Sequence, residues 1–170
     1  MKPRPVDYLG GYPETVREQA HDLHRAGRLL PMLQKRYAES HDVTDNARLY
    51  AYVQDMKRSH MKSSPPLGKV RYCEKISTVH KALGLHSFVV RVQGKKLKRK
   101  NELRVGSVFK SLPADFLYMI VAHELAHLRH KDHDKAFYRL CKHIDPQYHR
   151  HELDLRLWLW AERTPADQIA

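Results

Sequence analysis

A chain of 170 residues with 42% hydrophobic residues can bury one sizeable core and is most economically a single domain. Its 31 Lys and Arg against 19 Asp and Glu give a formal net charge of +12 and a pI near 9.8, a balance that draws in phosphate-bearing partners over about a Debye length but also arises from solvated helical faces. Cys73 and Cys141 are too few and too far apart for a disulfide scaffold or zinc ribbon, the first residues lack the apolar core of a signal peptide, and no run is long enough to span a bilayer, so a cytoplasmic location is expected.

In chain order, prolines and the Gly10-Gly11 pair make the segment to Tyr12 an irregular lead-in. Pro13 starts a helix in which Val16, Ala20, Leu23 and Ala26 recur at helical spacing until Gly27 stops it, and Leu29, Leu30, Leu33 and Tyr37 define a short second helix. Thr44 or Asp45 caps a third, from Asn46 to about His60, with Leu49, Val53 and Met56 inward. Ser63-Ser64-Pro65-Pro66 breaks the pattern. Beyond it Val70, Cys73, Ile76, Val79 and Leu83 step by three or four, which predicts a helix from Lys69 to Leu83.

After Gly84 the period changes to two. Phe88, Val90 and Val92 alternate with Val89, Arg91 and Gln93, and Leu103, Val105, Ser107 and Phe109 give a second such run, together predicting a hairpin. Its connection, Gly94 to Asn101, carries Lys95, Lys96, Lys98, Arg99 and Lys100, a group able to clamp the phosphates of nucleic acid or simply to blunt a sheet edge. Pro113, with Asp115 in the first turn, opens an apolar helix. Asp132 or Asp134 caps another to about His143, and a last helix from Asp145 or Pro146 through Trp160 closes the core. The expected class is α+β, mostly helical, with a small β-hairpin or sheet. Residues 1–62 form an N-terminal helical extension, 69–143 the core and 145–162 the closing helix.

Inside the apolar helix lies His123-Glu124-Leu125-Ala126-His127. Four residues turn a helix through about 400°, so His123 and His127 project from one face a turn apart and can grip one cation, with Glu124 beside them to take a proton from water. That is the pattern of a zinc hydrolase. With 13 histidines in the chain a chance match is the rival reading. The stripe of Leu117, Val121, Leu125 and Leu128 argues against it, because it anchors the helix in a core where imidazoles need partners that a metal supplies.

A catalytic zinc site takes three protein ligands, and His133 is the best third candidate. Six residues after His127 is about 600° of continuous helix, pointing away from the metal, so the helix must end near Arg129-His130-Lys131 for His133 to return. His130 reads as a solvated or supporting residue. Glu152 is the alternative third ligand, although the helix macrodipole already accounts for a carboxylate in a first turn. No G-x-x-x-x-G-K-[ST], dinucleotide-type glycine motif, internal repeat or covalent nucleophile is evident.

Ile120 to Leu128, followed by His133-Asp134-Lys135-Ala136-Phe137-Tyr138, resembles the YgjP-like metallopeptidase family, which is related to the SprT-like and WLM proteases. The resemblance implies a compact zincin-like catalytic core over 69–143, His123, His127 and His133 as Zn²⁺ ligands and Glu124 as the catalytic acid/base. Its hairpin signature differs, Arg104-Val105-Gly106-Ser107-Val108 standing where the family has an R-W-G-S-C-like sequence. The expected function is therefore a zinc-dependent hydrolase of metallopeptidase type acting on a peptide or protein. The alternatives are a UTP-type nucleotide pyrophosphatase, a label that the family also carries, and a DNA-associated SprT-like protease or nucleic-acid-binding module using the basic hairpin 95–100.

Overall fold

Helix α1 (Glu14–Arg25) opens with Glu14 and closes on Gly27, whose φ of 67° is one that glycine adopts without strain. Gly27 N–H reaches His24 O and Arg28 N–H reaches Leu23 O, both at 2.9 Å, which satisfies the last carbonyls of the helix. The computed structural model describes residues 7–74, 88–93 and 96–166, with the backbone alone for 88–93 and 96–100. Helix α2 (Leu29–Arg36) buries Leu29 and Leu33. Helix α3 (Asn46–His60) buries Leu49, Val53 and Met56 and is capped by Asp45, which accepts from Arg48 N–H at 2.8 Å. These three helices match the expected spans closely, because each carries both a helical apolar stripe and a clear start or stop.

The next segment differs. Leu67–Cys73 is strand β1, with Leu67, Val70 and Tyr72 buried, although Lys69–Cys73 is expected to begin a helix. The three- and four-residue stepping that suggested a helix runs on into Ile76, Val79 and Leu83, which lie outside the described residues. Within Val70–Cys73 alone the pattern is alternation of buried and more open positions, a strand period. Strand β1 pairs in parallel with β3 (Lys96–Gly106), Val70 opposite Leu103 and Tyr72 opposite Val105.

Strand β2 (Phe88–Gln93) pairs antiparallel with β3, from Phe88 opposite Asn101 to Gln93 opposite Lys96, so the expected hairpin exists. Its second strand begins earlier than alternation indicated: Lys96–Lys100, read as part of a basic connection, are strand residues, while Gly94 and Lys95 of that connection lie outside the described residues. At the other end Ser107–Lys110 forms a 3₁₀ turn instead of continuing the strand, with Phe109 buried. The strand order is β1-β3-β2, with β3 central.

Helix α4 (Ala114–Ala126) is the centre of the molecule. Pro113 precedes it, Asp115 stands in its first turn, and Phe116, Leu117, Met119, Ile120, Val121 and Leu125 are wholly buried. A helix apolar on every side can be satisfied only by neighbours all around it. Strand β3, α3, α5 (Lys135–Ile144) and α6 (Tyr148–Arg163) supply them. Asp134 caps α5, accepting from Phe137 N–H at 2.9 Å. Asp145 then joins α5 to α6, its carboxylate accepting from Gln147 N–H at 3.1 Å and contacting His151 Nδ1 at 2.7 Å. The architecture is α+β and mostly helical, and no helix among the described residues is long and apolar enough to cross a membrane.

Candidate metal centre

The last turn of α4 carries His123, Glu124 and His127, all buried. The helix then closes as the return of His133 requires: Leu128 N–H bonds Leu125 O at 3.0 Å, and Arg129 and His130 N–H bond Ala126 O at 3.1 and 3.0 Å. The chain reverses and brings His133, exposed at the rim, back over the helix end. His133 Nε2 lies 3.0 Å from His127 Nε2, which lies 3.2 Å from His123 Nε2. The three candidate ligand atoms lie within 4.8 Å of one another.

The other ring nitrogens decide what this cluster can hold. His123 Nδ1 is 2.7 Å from the Tyr148 hydroxyl and His127 Nδ1 is 3.0 Å from the His130 carbonyl. A carbonyl only accepts, so His127 carries its proton on Nδ1 and presents a bare Nε2 lone pair to its neighbours. A tyrosine hydroxyl accepts as well as donates, so Tyr148 can receive the proton of His123 Nδ1–H. Lone pairs facing one another at about 3 Å repel unless a proton or cation lies among them, and three converging imidazoles, two of them held through Nδ1, suit a divalent metal. The residues fit a metal ion.

Phe137 forms the wall of the cluster, its ring centroid 4.6 Å from those of His127 and His133 and 4.9 Å from that of His123. Glu124 is buried, and desolvation pushes its carboxyl well above the usual carboxylate range. Positive charge nearby acts in the opposite direction, favouring the ionised form that a base needs. Glu152, the alternative third ligand, stays outside the cluster. It pairs with Arg156 at 3.3 Å.

Three residues singled out in the sequence, His123, His127 and His133, thus bring their ligand atoms together at one end of α4, and Glu124 is buried on the same helix end. Sequence reasoning missed Tyr148 and Phe137. Tyr148 is 25 residues from His123 and carries no local mark of its role. Phe137 left a trace, as the apolar residue three after the Asp134 cap in the segment that returns His133.

An apolar helix offering two imidazoles and a carboxylate, with a third imidazole returned by the following loop, defines the class of metal-dependent hydrolases. The model of the YgjP-like metallopeptidase domain matches residues 33–157, and the chain belongs to that family. Among its relatives is a protein of Escherichia coli (strain K12) named UTP pyrophosphatase, 51% identical over 154 residues that cover 91% of this chain and 92% of the relative. No solved structure matches the chain.

Proposed function

We propose that the protein is a zinc-dependent hydrolase that cleaves a nucleoside triphosphate to the monophosphate and pyrophosphate, with His123, His127 and His133 as ligands and Glu124 as general base. The observation that carries hydrolysis at this point is the convergence of three Nε2 atoms beside a buried carboxylate. The sequence alone ranks peptide hydrolysis first; the extent of identity with a protein named UTP pyrophosphatase favours the phosphoanhydride.

Held by His123, His127 and His133, zinc would supply Lewis acidity and bring the pKa of a water toward neutrality. Glu124 takes the proton of the attacking water, its burial raising its proton affinity above that of an exposed carboxylate. Water oxygen bonds to the α-phosphorus, the bond to the bridging oxygen breaks with its electron pair, and Glu124 returns a proton to the site of departure. Tyr148 and the His130 carbonyl keep the imidazoles from rotating, and Phe137 excludes bulk water from one side.

Peptide hydrolysis is the second reading, favoured by the description of the family as a metallopeptidase domain. UTP and a peptide library offered side by side to zinc-loaded protein separate the two. The expected result is pyrophosphate release from UTP that falls by about 10²-fold or more in Glu124→Gln, the scale of a lost general base, with peptides untouched. Glu124-dependent peptide cleavage with UTP intact would replace this reading by the second.

A further inference from the structure

Helix α5 carries cations that lack the ion pairs made by arginines on α1, α3 and α6. Arg17, Arg25, Arg48, Arg58 and Arg156 each have a carboxylate three or four residues away on their own helix. Helix α5, from Lys135 to Ile144, contains no acidic residue and carries Lys135, Arg139 and Lys142 at i, i+4 and i+7, all exposed. Like charges at that spacing repel and destabilise a helix. Among the described residues none of the three has a carboxylate partner in an ion pair, and the adjacent Asp134 carboxylate is engaged at the Phe137 N–H.

These cations line a cavity of about 670 Å³ together with His133, Asp134, Tyr138 and His149, the one carboxylate among them being held at the Phe137 N–H. His133 also belongs to the imidazole cluster, so the cavity begins where the cluster ends. Lys135 and Lys142 are separated by about 10 Å along the axis at 1.5 Å per residue. That is close to a Debye length in physiological salt, so the three charges act as one field on anything in the cavity. From α6 the cavity receives His149, whose ring lies 5.4 Å from that of Tyr138. A polyanion entering along α5 meets cations spaced one helical turn apart and arrives at His133.

We propose that this cavity is the subsite for the terminal phosphates of the substrate. Lys135, Arg139 and Lys142 hold the polyphosphate tail while the bond to be cleaved lies at His123, His127 and His133. The proposal rests on the phosphoanhydride reading above and assigns binding to the phosphates instead of the base. Lys and Arg suit this task as donors of charge-assisted hydrogen bonds to phosphate oxygens.

The test measures binding and turnover separately. Calorimetric titration of the full chain carrying Glu124→Gln with inorganic triphosphate, and with UMP as the ligand lacking the tail, reads the subsite without hydrolysis. Adding Lys135→Ala, Arg139→Ala and Lys142→Ala together should weaken triphosphate binding by at least about tenfold, the scale of a lost charge-assisted contact, and leave UMP binding as it was. In the otherwise native enzyme the same triple substitution should raise KM for UTP. Arg139→Lys, which keeps the charge, should retain most of the triphosphate affinity, and circular dichroism and zinc content confirm that the variants are folded.

Triphosphate binding unchanged by the triple substitution overturns the subsite, whether or not UTP is hydrolysed. Triphosphate binding that depends on the three cations in a protein unable to hydrolyse UTP leaves the subsite standing and removes the proposed reaction instead. An acidic peptide whose binding needs the three cations, with triphosphate unbound, also overturns the proposal, assigning the cavity to a protein substrate.

Discussion

Tyr148 does for His123 what a backbone carbonyl does for His127: it holds Nδ1 and leaves Nε2 facing the cluster. Its hydroxyl is wholly buried, and burial together with Glu152 pushes its pKa far above the ordinary value, so it stays a neutral hydrogen-bonding group. Tyr148→Phe removes that hydroxyl while keeping the ring, and should weaken zinc binding about 10–100-fold, the usual effect of losing a hydrogen bond behind a metal ligand. Competition with a chelator of known affinity measures it; unchanged affinity would show that His123 is oriented by packing alone. At this scale the sequence was informative wherever the geometry is intrinsic to one helix. Two histidines four apart must share a face, and the necessary end of α4 pointed to His133. Tyr148 could not be found that way, since its contact exists only once α6 has docked against α4.

The elements were legible where periodicity and a cap agreed, and not elsewhere. Asp45 and Asp134 both cap as their positions suggest, whereas Lys69–Cys73 of β1 reads as helix because a seven-residue strand offers little periodicity of its own. The charged residues of β3 misled in the same manner: a basic run reads as loop by composition, yet backbone pairing with β2 decides it. Pairing of β1 with β3 also sets a charge cluster, with Arg71 and Arg104 Nε at 2.6 and 3.3 Å from Glu102 Oε1. Burial alone would raise the Glu102 pKa, but the hydrogen bond from Arg104 and the charges of Arg104, Arg71 and Lys69 hold it below 4.5. A carboxylate with a depressed folded pKa stabilises the protein fully above its unfolded pKa and loses that contribution as pH falls through the folded value. Glu102→Gln should therefore cost about 1–2 kcal/mol at neutral pH, the arginines being partly solvated. The gap to the native protein should narrow as the pH is taken below 4.5. Urea unfolding across that range tests this, and a gap independent of pH would mean that shape, not charge, is what Glu102 contributes.

Over the whole molecule, one apolar helix sits among a three-stranded sheet and its helical neighbours and exposes chemistry only at its C-terminal end. Burial along α4 makes the rigid support, since close-packed side chains leave the His123 and His127 backbone little room to shift. The net charge of +12, which composition alone could assign to no partner, acquires a local meaning on α5, where cations without carboxylate partners border the imidazole cluster. The central claim is that one metal ion held by three imidazoles is required for hydrolysis, and zinc content measured on the same preparations as pyrophosphate release from UTP tests it most directly. The account predicts about one zinc per chain, lowered together with activity in His123→Ala, His127→Ala and His133→Ala but retained in Glu152→Ala. Zinc content unchanged by all three histidine substitutions, or pyrophosphate release at the native rate from metal-free protein, would contradict it.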